Sequence, residues 1–92
     1  MAEPIPAERI HAWHAHIYYD ALSRDRAAQL RAWVEERFTV RMGRWHDVPV
    51  GPHPTSMYQI AFETDQFPPL APFIAMNRMG LTVLLHPREL TT

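Results

Sequence analysis

No cysteine occurs in the 92 residues. A disulfide framework, a thiolate zinc site and a cysteine-ligated iron–sulfur cluster are therefore excluded. Lysine is missing too: nine arginines oppose ten acidic residues for a net charge of −1. That balance leaves no electrostatic footprint for nucleic acid or for an anionic membrane surface. No apolar run approaches the ~20 residues of a membrane-crossing helix. The first nine residues hold acids and prolines ahead of any apolar stretch, unlike a secretory leader, and a cytoplasmic protein is expected. There is no G-x-G-x-x-G, no P-loop and no G-x-S-x-G, so nothing points to a nucleotide or to a serine nucleophile.

What is present is ordinary globular material, 47% hydrophobic and 21% charged. The length suits one domain over residues 1–92. Residues 1–9, with Pro4 and Pro6, read as an extended arm. Residues 10–19 alternate: Trp13, Ala15, Ile17 and Tyr19 share one face of a strand, and His14, His16 and Tyr18 the other. Residues 23–38 form a helix with Ser23 as N-cap. Its inner stripe is Ala27, Leu30, Trp33, Val34 and Phe38, with an exposed Arg31–Glu35 pair. Residues 38–50 read as a second strand, bent at Gly43, followed by the rigid loop Gly51-Pro52-His53-Pro54. Residues 57–63 alternate again as a third strand. Asp65 is expected to cap a short or irregular second helix interrupted by Pro72 and closed by Gly80 as its C′ residue. Residues 81–86 are the fourth strand, with Leu81, Val83 and Leu85 facing one way and Thr82, Leu84 and His86 the other.

The order β-α-β-β-α-β, with short connections, predicts an α+β ferredoxin-like fold: a four-stranded antiparallel sheet with both helices on one face. The histidine-bearing side is then left uncovered. Because it also carries Met57, Ala61 and Leu84, a second copy of the chain is the expected cover.

Six histidines are many for this length. His14 and His16, two apart on a strand, project side by side at ~6.6 Å and can reach one ion. His86 has matching parity on a strand expected to neighbour the first. His53 is held between two prolines, which suits a ligand on a rigid loop. His46 follows Trp45 and suits a proton donor or an outer-shell group. Imidazoles without thiolates suit Fe(II), Zn, Cu, Mn or Ni.

Five runs then carry a resemblance: Trp13-His14-Ala15-His16-Ile17-Tyr18-Tyr19; Gly43-Arg44-Trp45-His46; Pro49-Val50-Gly51-Pro52-His53-Pro54; Met57-Tyr58-Gln59-Ile60-Ala61-Phe62; and Asn77-Arg78-x-Gly80 through His86-Pro87. In this order they resemble the DOPA 4,5-dioxygenase family of the fungal and bacterial type. The resemblance implies a ferredoxin-like dimer and extradiol cleavage of a catechol such as L-DOPA by non-haem Fe(II) and O₂. It makes His16, His53 and His86 the expected ligands, with His14 a fourth ligand or a base. His46 and Tyr18 become the acid/base candidates, and Arg44 or Arg78 the partner of a substrate carboxylate. Glu63 and Asp47 are the carboxylates that would compete for a place among the ligands. Members of the family usually continue beyond the His-Pro that matches His86-Pro87, so a shortened member is expected. Two other readings use the same residues: a zinc-binding homologue of different or no activity, and a dimeric module that binds a small ligand on its open sheet face.

Overall fold

The structure is a computed structural model, and it describes residues 2–49 and 51–88. The main elements are β1 (Ala12–Tyr19), α1 (Arg24–Arg37), β2 (Arg41–Met42), β3 (Ser56–Glu63), α2 (Phe67–Asn77) and β4 (Thr82–Pro87). Single 3₁₀ turns occupy Ala7–Arg9 and Thr64–Gln66. The arm is thus extended only up to Pro6. The sheet is antiparallel in the order β2-β3-β1-β4, with β1 and β3 central, as the ferredoxin-like reading requires.

The core forms on the side that alternation selects. Ala15, Ile17 and Tyr19 of β1, Tyr58, Ile60 and Phe62 of β3, and Leu81 before β4 pack against Ala27, Leu30 and Val34 of α1 and Leu70 and Ile74 of α2. Trp33 and Phe38 only flank this core. The Tyr58 hydroxyl donates to the Ala27 carbonyl at 2.8 Å, so the one polar atom of a fully buried ring is satisfied.

Several local expectations need correction. Ser23 holds the N-cap position, but its hydroxyl does not cap α1. It accepts from the Asp20 N–H and donates to Asp20 Oδ1, while the Asp20 carboxylate takes the Leu22 and Ser23 N–H groups. Asp20 is therefore the group that organises the turn into α1. Arg31 makes no ion pair with Glu35 among the described residues. Its guanidinium lies 5.2 Å from the Trp45 ring and 5.0 Å from that of Tyr58, where a flat cation gains more than at an exposed i,i+4 site. Asp65 falls inside the 3₁₀ turn and Gln66 precedes α2, without a side-chain cap. α2 runs unbroken through Pro72. Pro68 and Pro72 are both exposed, so the carbonyl that Pro72 cannot serve faces water. The C′ residue is Met79 at φ 53°, and Gly80 follows at φ 81°. Arg26 donates to the Met79 carbonyl at 2.6 Å and ties this left-handed exit to α1.

The second strand departs most. Its ladder is two residues long, with Arg41 opposite Ala61 and Met42 opposite Ile60. Pairing resumes at His46 opposite Met57, one residue out of step. Gly43 and Arg44 together therefore stand against Gln59, which is a β-bulge. Gly43 donates to the Gln59 carbonyl at 2.7 Å, and a Cβ at Gly43 would lie 3.1 Å from that oxygen. The bulge resets the parity: Trp45 packs edge-on against Tyr19 and Tyr58 on the helix side, and His46 falls on the histidine side. Arg24 clasps this segment, with its guanidinium 4.0 Å from the Trp45 ring and Nε donating to Asp47 at 2.9 Å.

Gly43→Ala should lower stability by about 1–3 kcal/mol, as overpacking against fixed backbone does. Thermal denaturation of the variant beside the wild type checks it. An unchanged midpoint would mean that the bulge can open.

Candidate metal centre

Register builds the site. His14 stands directly opposite His86, and His16 opposite Leu84, next to it on β4. Strand pleating sends all three imidazoles to the face away from the helices. Their ligand atoms lie within 4.8 Å of one another. His16 Nε2 and His86 Nε2 face each other at 2.9 Å, with the rings stacked at 10°. The His14 ring meets that of His86 edge-on at 5.3 Å.

The donor set fits an ion. Two imidazole nitrogens bound at right angles to one ion at ~2.1 Å stand ~3.0 Å apart. The His16–His86 separation already matches that. His86 Nδ1 lies 3.0 Å from the Pro87 carbonyl, to which it can donate. In that tautomer its Nε2 lone pair is free for a metal. His16 is only 5% exposed, and its Nδ1 has no partner among the described residues. Burial, reinforced by His53, His86 and His14, pushes the His16 imidazole down to about 4. Burial, with His86, Arg88 and Arg41, also lowers His14. Imidazoles whose neutral form is favoured, as at His14 and His16, bind a divalent cation with fewer protons to displace.

His53 is beside the trio rather than in it. Its ring packs on that of His16 with centroids 4.7 Å apart, while its Nδ1 is 2.8 Å from the Tyr18 hydroxyl. The geometry groups His14 with His16 and His86 and leaves His53, expected among the ligands, alongside. A loop histidine approaches from above the sheet, whereas His14 is fixed by the strand next to its neighbours. The loop also alters the open face, since Met57 and His16 are buried although no helix covers them. Burial raises the Tyr18 phenol, which favours its protonated form.

The remaining candidates are placed apart. His46 is on the histidine face but across Met57 from Tyr18, two strands away. Arg78 ends α2, behind the sheet, and donates to the Leu81 carbonyl at 2.9 Å. Arg44 is the exposed extra residue of the bulge. Neither arginine is brought to the trio. Asp47 is engaged by Tyr19 and Arg24 on the helix side. Glu63 is on the open face, 3.9 Å from Arg41. Sequence reasoning passes over Arg41 and Arg88, the two cations that depress His14. Arg88 could have been found by its spacing of two from His86; Arg41 only once the register was known. A cleft of about 250 Å³ opens at the other end of β1, lined by Tyr18, Asp20, Thr55 and Thr82, and shares only Tyr18 with the site.

Folded His16 titrates near 4 and an unfolded histidine near 6.5. Between these values the unfolded chain holds more protons, so metal-free stability should fall as pH drops from about 6.5 towards 4 and recover as it rises. His16→Gln should flatten that slope and keep the fold. Thermal midpoints across this range check it; an equal slope in the variant would mean that His16 is already protonated in the folded state.

The structure superposes on a crystal structure from Nostoc punctiforme, provisionally described as a dioxygenase. The TM-score is 0.90 at 47% identity, covering 92% of this chain and 74% of that one. An uncharacterised 21.2 kDa protein of Botryotinia fuckeliana is 31% identical over 95% of this chain and 50% of its own length. A DOPA 4,5-dioxygenase of Amanita muscaria is 31% identical over 85% of this chain and 38% of its own length. The chain thus spans half or less of these two curated relatives. With residues 13–91 matching the family as a whole, and the three facing histidines inside that span, the chain belongs to the Dopa 4,5-dioxygenase family.

Proposed function

We propose that the protein is an extradiol ring-cleaving dioxygenase that acts on a catechol, with L-DOPA the first to test, at an Fe(II) held by His14, His16 and His86. The observation that carries the reading is the pair of facing nitrogens of His16 and His86, with His14 alongside. Fe(II), when bound, supplies adjacent positions for the two catechol oxygens and for O₂. The overall change is the addition of O₂ to the ring: one carbon–carbon bond breaks, and both oxygen atoms remain in the product.

The chain's own groups then have distinct tasks. His14, His16 and His86 each offer one ring nitrogen to a common ion. Tyr18 and His53 form a hydrogen-bonded donor–acceptor pair against the His16 ring. With its Nδ1–H donating to the Tyr18 oxygen, His53 has Nε2 free as the base that takes a catechol proton, and the Tyr18 phenol keeps its own proton to return when the ring opens. His46, two strands away, is left outside this exchange. We further propose that a second copy of the chain covers the open face, where Leu84 is exposed beside the trio.

Anaerobic loading with Fe(II), followed by L-DOPA and air, should give a yellow ring-opened product with one O₂ consumed per catechol. Tyr18→Phe should keep its iron and lose 10²-fold or more in kcat, the size of a lost acid/base contribution. His16→Ala and His86→Ala should lose both iron and product. Bound iron without oxygen uptake from any catechol would contradict the dioxygenase reading, and tighter retention of zinc would favour a different metal chemistry.

A further inference from the structure

The open face carries a second arrangement next to the histidines. One row across the sheet reads Arg41, Ala61, His14, His86, each residue directly opposite the next. In the adjoining row Glu63 stands opposite Ala12, and Arg88 donates its N–H to the Ala12 carbonyl, so Arg88 continues the β1–β4 ladder. Parity puts Glu63, Ala12 and Arg88 on the histidine face. Two alanines thus form a low floor flanked by two arginines, with His14 at its border.

The dimensions suit a small ligand. Arg41 is two strand spacings from His14, ~9.6 Å, and the two arginines, three spacings and one row apart, are ~16 Å from each other at the backbone. Long side chains reaching inward from both edges can meet over the alanines. Arg41 is 67% exposed, and its one ionic neighbour among the described residues is Glu63 at 3.9 Å, too far for a good hydrogen bond. Its guanidinium fork is available to a planar carboxylate.

We propose that Arg41 and Arg88 form a carboxylate-binding subsite over the Ala12–Ala61 floor, which holds the anionic tail of a catechol whose ring lies at the histidine trio. The inference rests on the catechol reading and adds to it the residues that select among catechols. A cation at each edge of the floor draws a charged tail off the trio and over Ala12 and Ala61, and that fixes which edge of the ring meets His14. Glu63 opposes the same anion and limits its affinity.

The test is calorimetric binding to the anaerobic Fe(II)-loaded protein, with iron content measured for every variant. The probes are 3-(3,4-dihydroxyphenyl)propanoate, which has the tail, and 4-methylcatechol, which lacks it. The wild type should bind the propanoate about tenfold more tightly. Arg41→Gln with Arg88→Gln should abolish that preference and leave 4-methylcatechol unchanged. Glu63→Gln should strengthen propanoate binding, and added salt should weaken it. Equal propanoate affinity in the double variant and the wild type would overturn the subsite and leave the catechol reading intact. So would a parallel loss of both probes, which would place the arginines in the fold or the metal site. If neither catechol binds the iron-loaded protein, the catechol reading falls and the subsite falls with it.

Discussion

β1 is hydrogen-bonded along both edges, to β3 over all eight of its residues and to β4 over six. A strand held on two sides cannot rotate or slip, and a slip of one residue would exchange its faces entirely. The site depends on that constraint. The pairing that buries Ile17 beneath the helices also turns His16 outward and places His14 directly across from His86. Core packing and metal geometry are therefore two faces of one register. The apolar side supplies the free energy that keeps the polar side in place, through fully buried Ile17, Tyr58, Ile60 and Leu30.

The rest of the chain finishes what the central strands begin. The bulge at Gly43 and Arg44 returns Trp45 to the helix side, where Arg24 and Arg31 lie over its ring. From that anchored segment the chain runs into the proline-rich loop and sets His53 against His16 and Tyr18. In the proposed proton-handling pair only His53 comes from a loop, whereas Tyr18 and the candidate ligands come from β1 and β4. That division suits the chemistry, since ligand geometry tolerates little movement and proton transfer requires a group near the substrate.

Much of this arrangement can be read in the sequence. Period-two alternation identified β1, β3 and β4 and sorted their residues by face, and His14, His16 and His86 follow from parity alone. The helical stripe of Ala27, Leu30 and Val34 identified α1. Failures fall where a local contact overrides periodicity. β2 was expected to be long because no pattern signals the extra residue opposite Gln59. Ser23 looked like a cap because the reciprocal bonds with Asp20 leave no trace in composition. The place of His53 beside the trio is not legible, because the reach of a loop cannot be judged from its prolines. Arg41 is not legible as a neighbour of His14, because its place is set by a β2 register that two paired residues barely announce.

The most direct measurement is anomalous diffraction from crystals of the Fe(II)-loaded protein, recorded at the iron edge. A single peak among His14, His16 and His86, about 2.0–2.2 Å from one nitrogen of each, with His53 still bonded to Tyr18, is the predicted result. A peak coordinated by His53 in place of His14, or by Glu63, would contradict the account, because the ligand set would then be chosen by the loop or by a carboxylate rather than by the register of β1 with β4.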